Sequence, residues 1–141
     1  MAASRKPLPN KAVVGAVAEV LSRHVAPHAR LTLALSGGLD SVALLHVLVA
    51  LRAAHPFDLQ AVHVHHGLSP RADEWADFCT RLCASHTVDL AVHRVRIARD
   101  DPAGIEAAAR RERQRVFAGL GADFLLTAHQ LDDQAETLVL Q

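Results

Sequence analysis

Cysteine is scarce in this 141-residue chain. Cys79 and Cys83 are the only two, which excludes a scaffold held by disulfides. No apolar run approaches the roughly 18 to 20 residues of a membrane span. The stretch from Met1 to Pro7 has no apolar segment behind its charges, so no secretory signal is expected. Net charge is missing too: 15 basic residues balance 15 acidic ones, and only 21% of the chain is charged. That argues against an acidic disordered tail and against a domain held to nucleic acid by bulk charge alone. No internal repeat, linker or low-complexity segment is visible. Half the residues are hydrophobic (50%), enough for a core at this length. The expectation is a cytoplasmic globular domain with no membrane partner.

Lysine is nearly absent as well. Thirteen of the 15 basic residues are arginine, and seven of those lie between Arg94 and Arg115, against four acids. Such a stretch is either a solvated helix face or the neighbour of an anionic ligand or RNA.

Short apolar runs alternate with longer helical patterns, the mark of a parallel α/β sheet. Helices are predicted over residues 10–25, 41–51 and 72–85, from the turn at Pro102 and Gly104 to about Leu120, and from Asp132 to Gln141. Strands are predicted at 31–35, 59–65, 90–97 and 124–127. Residues 1–29 read as an N-terminal helix packed on a domain that spans 30–141. The helical pattern is still running at Leu138 to Gln141 with no closing residue, so a longer chain is expected.

The most informative segment is the first strand running into Ser36-Gly37-Gly38-Leu39-Asp40-Ser41 and then a helix. In an open parallel sheet ligands sit at the carboxyl ends of strands. Glycine lets the backbone approach an anion closely, the helix start offers unpaired N–H groups, and Ser36 and Ser41 add hydroxyls. Residues 36–41 therefore read as a seat for the phosphates of ATP. The lysine of the P-loop nucleotidases is missing. Asp40 is the odd member, because a carboxylate repels phosphate unless a cation lies between them. It reads either as an acid favoured in a helix's first turn or as a ligand for Mg²⁺.

The SGGLDS segment resembles the PP-loop of the ATP pyrophosphatases, which cleave ATP to AMP and pyrophosphate. Three further blocks, in order, resemble the tRNA(Ile)-lysidine synthetases: Val62-His63-Val64-His65-His66-Gly67-Leu68, the helix of Gly104 to Arg113, and the segment from Leu126 through His129, Asp132, Asp133 and Glu136 to Leu138. The resemblance implies a Rossmann-like PP-loop ATPase fold of the adenine nucleotide alpha hydrolase type, a parallel sheet with helices on both faces. It implies adenylation of O2 of the wobble cytidine of tRNA(Ile) and ligation of free L-lysine to give lysidine. A homodimer is compatible with it.

Under this resemblance the catalytic residues are Asp40, Arg110, His129 and Asp133, with Asp40 and Asp133 sharing Mg²⁺ and His129 donating to a phosphate oxygen. Ser36, Gly37, Gly38, Leu39, Asp40, Ser41 and His65 form the nucleotide site. The acids near Asp133 also suit helix capping. Glu106, Arg110 and Arg113 share a helix face, so Arg110 either pairs with Glu106 or reaches the triphosphate. Two positions depart from the family: His65 stands where Asn is usual, and Gln114 where Tyr is frequent. His63 and His65 are expected on one strand face and His66 on the other, without the third ligand of a Zn²⁺ site. Cys79, Cys83, Trp75 and Phe78 read as packing. Three alternatives stay open: another PP-loop enzyme, such as a tRNA thiolase or an amidotransferase-type synthetase; an ATP-binding module without turnover; and a basic RNA-binding domain.

Overall fold

The fold is built outward from a leucine-rich strand, β1 (Arg30–Ala34), in which Leu31, Thr32 and Leu33 are all buried. A run apolar on both faces is what a central parallel strand requires. The computed structural model describes residues 11–128 and 139–140. Before β1 comes α1 (Lys11–His24). After it come α2 (Leu39–Leu51), β2 (Asp58–His65), α3 (Ala72–Ser85), β3 (Asp89–Arg94), α4 (Ile105–Ala118), β4 (Phe124–Thr127) and β5 (Val139–Leu140).

The sheet order is β3-β2-β1-β4-β5. The first four strands are parallel, with Leu33 opposite both Ala61 and Leu126. The chain steps outward from β1 through β2 to β3, then returns to place β4 on the other side of β1. That reversal makes the carboxyl ends of β1 and β4 the switch point where a crevice opens.

One face carries the main core. Val17 and Leu21 of α1, Leu44, Leu45 and Leu48 of α2, and Cys79 and Cys83 of α3 pack with Leu31, Leu33 and Leu35. α2 is apolar nearly all round, as befits a helix enclosed by neighbours. α3 buries only the small residues Ala72, Ala76, Cys79 and Cys83, spaced along one face. That lets it lie close to the sheet and leaves Trp75 and Phe78 on its flank, 44% and 40% exposed, not packed inward as the sequence suggested. α4 joins a second, smaller cluster, where Ala108 and Ala109 meet Ile97.

Several ends shift by a residue, and three departures from expectation are of more consequence. β3 stops at Arg94, where pairing with His65 ends; it is an edge strand, and the chain then turns so that Ile97 packs against α4. α2 begins two residues early, at Leu39, with extended Gly38 as its cap. Residues 139–140 were expected to be helical and are instead the strand β5, antiparallel to β4, with Val139 opposite Thr127 and Leu140 opposite Leu126. The pairing supplies partners to the backbone groups of β4's otherwise open edge. The remainder of that predicted helix, with His129, Asp132, Asp133 and Glu136, lies outside the described residues. Among the described residues no helix is long and apolar enough to cross a membrane.

Candidate functional site

The loop between β1 and α2 is held in shape by its own serines. The Ser41 hydroxyl accepts from the N–H groups of Ser36 and Gly37, each at 3.2 Å, and lies 3.1 Å from the Gly38 carbonyl, to which it donates. The two serine hydroxyls are 3.1 Å apart, and the Gly38 N–H donates to Ser36 Oγ at 3.2 Å. The first helical bond runs from the Val42 N–H to the Gly38 carbonyl, leaving the N–H groups of residues 39–41 at the helix start for a ligand. The preceding strand directs them to the carboxyl edge of the sheet. Gly37 has φ +93°, a backbone state that side chains rarely adopt.

The floor beneath the loop is tied down from the next strand. His63 Nδ1 lies 2.8 Å from the Leu35 carbonyl, and the Cys79 thiol lies 3.7 Å from that nitrogen. Burial pushes the thiol of Cys79 up to about 12 and that of Cys83 to about 11, so both stay protonated and inert at neutral pH. They are core residues, as their helical spacing suggested.

Beside the loop, at the switch point, opens a cavity of about 750 Å³. Ser36 and Ser41 line it at one end, Val62 and Val64 form its floor, and Arg110, Arg113 and Phe117 of α4 form the facing wall. His63, His65 and His66 border it together, because β2 ends at His65 and His66 already belongs to the following loop. Its size and its mixture of apolar floor and convergent polar groups suit a ligand as large as a nucleotide. Arg110 lines the cavity and forms no ion pair with Glu106. Asp40 is half-buried in the first turn of α2, outside the cavity lining, and its carboxylate has no bond among the described residues. Leu39 is 76% exposed and does not line the cavity. Of the other sequence-assigned residues, His129 and Asp133 lie outside the described residues. Trp75, Phe117 and Arg113 also line the cavity; the sequence assigned none of them to a site, because a residue at helical spacing carries no signal of which cavity it borders.

His66 titrates low. Burial is the main cause, followed by the Arg113 guanidinium and then His63 and His65. Its Nε2 is buried without a partner among the described residues. The unfolded value is 6.5, so between that pH and the lower folded value the unfolded chain binds more protons. Stability from this group is present above pH 6.5 and is lost as pH falls through the folded value. In chemical denaturation from pH 7.5 to 5, His66→Gln should show a shallower loss of stability than the parent. Equal slopes would remove His66 as a cause.

Among the described residues no group of three or more His, Cys, Asp or Glu side chains is placed to hold a metal ion. The PP-loop domain family matches residues 10–141. The chain belongs to that family of ATP-binding domains.

Among relatives, the chain is 53% identical over 119 residues to the tRNA(Ile)-lysidine synthase of Aromatoleum aromaticum, a stretch covering 83% of this chain and 28% of the relative. It is 48% identical over 130 residues to that of an Azoarcus species, covering 92% and 29%. It is 52% identical over 107 residues to that of Neisseria gonorrhoeae, covering 76% and 24%. The chain therefore spans less than a third of the length of the curated relatives it matches. In fold it is similar to the U34-tRNA thiolase of Methanococcus maripaludis, with a TM-score of 0.69 and 22% identity over 87% of this chain and 46% of that one.

Proposed function

We propose that this chain is the ATP-binding part of a tRNA(Ile)-lysidine synthase acting in the cytoplasm. The observation that supports the reading best is the identity of 53% and 48% to enzymes of that name, over 83% and 92% of this chain. In the proposed reaction O2 of the wobble cytidine attacks the α-phosphorus of ATP. The bond to pyrophosphate breaks, and an O-adenylated base forms. The amine of free lysine then bonds to C2, loses a proton, and displaces AMP.

The residues have distinct tasks. The N–H groups of Leu39, Asp40 and Ser41 hold the departing pyrophosphate, in a loop shaped by Ser36, Gly37, Gly38 and the Ser41 hydroxyl. Arg110 holds a phosphate with its planar fork, and His129 is proposed to donate to another phosphate oxygen. His65 contacts the nucleoside. The carboxylate of Asp40, without a bond among the described residues and beside this anion seat, suits Mg²⁺, which takes few protein ligands and keeps phosphate and water oxygens. Asp133 is proposed as its second protein ligand. When bound, the ion neutralises charge on the phosphoryl oxygens.

The test is radiolabelled lysine incorporation into tRNA(Ile) by the full-length protein, with ATP, and with pyrophosphate followed in parallel. Lysine entering the tRNA together with pyrophosphate release is expected, and an ultracentrifuge run on the same sample reads whether two copies associate. Pyrophosphate release without lysine incorporation would favour another PP-loop enzyme. RNA binding without either would favour a simple binding domain.

A further inference from the structure

Outside the loop, the side chain with the most elaborate support at the cavity is His65. It is 8% exposed and borders the cavity at the end of β2. Its Nε2 lies 2.8 Å from Asp73 Oδ1, on the first turn of α3. Arg94, the last residue of β3, reaches the same carboxylate oxygen at 3.3 Å, with its NH1 3.2 Å from His65 Nε2. Three separate elements thus converge on one imidazole.

The proton positions follow from what each group can do. A carboxylate only accepts, and a lone pair on Nε2 facing it at 2.8 Å would be repelled. Nε2 therefore carries the hydrogen and donates to Asp73. The guanidinium also only donates, so it and the imidazole both aim at the one oxygen, which accounts for their own close approach. The carboxyl of Asp73 is held below the usual range, first by the His65 hydrogen bond and then by Arg94, so it stays an ionised acceptor at neutral pH. With Nε2 committed, Nδ1 of a neutral ring is left with a lone pair.

We infer that Asp73 and Arg94 are positioning residues that fix His65 as the Nε2–H tautomer, so that Nδ1 accepts a hydrogen bond from the nucleoside of ATP. The inference rests on the nucleotide reading above and deepens it. Neither Asp73 nor Arg94 lines the cavity. Two kinds of donor on the nucleoside fit an acceptor: the 6-amino group of the base and the hydroxyls of the ribose. Inosine triphosphate presents an acceptor in place of the first, and 2′,3′-dideoxy-ATP lacks the second.

The test combines histidine-labelled long-range ¹H–¹⁵N spectra of the full-length protein with calorimetric titration. In the parent, His65 should be protonated at Nε2. Asp73→Ala should mix the tautomers and weaken ATP binding about five- to tenfold, the range for one lost hydrogen bond. Asp73→Asn, whose side-chain carbonyl still accepts, should restore both, which a merely structural loss would not do. One of the two analogues should bind the parent weakly and lose that handicap in His65→Ala, and which one does so identifies the donor.

A tautomer unchanged in Asp73→Ala, with parent-like affinity, overturns the positioning role. Equal binding of all three nucleotides by the parent overturns the contact with Nδ1. A parent that shows the Nε2–H tautomer but binds no ATP overturns the nucleotide reading, while the fixing of His65 by Asp73 stands.

Discussion

Asp40→Ala should lower ATP-dependent pyrophosphate release by the full-length protein at least about 100-fold, with a melting temperature close to that of the parent. The two halves of this expectation come from the same observation. The carboxylate is half-buried in the first turn of α2 and makes no bond among the described residues. Its structural contribution is then the favourable placing of an acid at a helix start, a few tenths of a kcal/mol. Its proposed functional contribution is to bring a divalent ion to an anion seat that it would otherwise repel. A rate measured under saturating ATP and Mg²⁺ separates the two. Unchanged turnover would remove Asp40 from the mechanism, and a large fall in melting temperature would return it to a capping role.

The second large effect falls on Ser41, which is 4% exposed. One hydroxyl there satisfies two backbone N–H groups and donates to the Gly38 carbonyl. Ser41→Ala leaves these groups without that partner, at a cost of about 1 to 3 kcal/mol for each one that stays buried. The melting temperature should fall by roughly 5 °C or more. ATP affinity should fall more than about tenfold, because the loop loses the bonds that shape it before the ligand arrives. Scanning calorimetry and titration on one preparation check both. Parent-like values in the two would mean that the loop's shape comes from Gly37 and the strand alone.

Much of this was readable from residue order. The spacing gave α3 and β4 to the residue, because Pro, Gly and polar clusters flank them and neither lies where tertiary packing redraws an end. The strand-glycine-helix junction expected at residues 36–41 is present between β1 and α2, and its proposed role as an anion seat follows from physical requirements that hold in any sheet. What stayed hidden depends on partners distant in sequence. β5 exists only because β4 offers an open edge, so a helical pattern at Val139 and Leu140 misled. β3 was drawn too long because nothing in Val95 to Ile97 says that pairing with β2 ends at His65. Trp75 looked like core until α3 proved to approach the sheet through alanine and cysteine. Asp73 gave no sign at all, since its partners lie 8 and 21 residues away.

The account turns on residues 36–41 receiving the tail phosphates of ATP. The most direct measurement is the ¹H–¹⁵N spectrum of the full-length protein during titration with inorganic pyrophosphate, with sodium sulfate as a control for simple charge. The amide signals of Ser36 to Ser41 should move first and furthest, saturably, and the same shifts should be blunted in Ser41→Ala. Saturable shifts confined to other parts of the chain, with residues 36–41 unmoved, would contradict it.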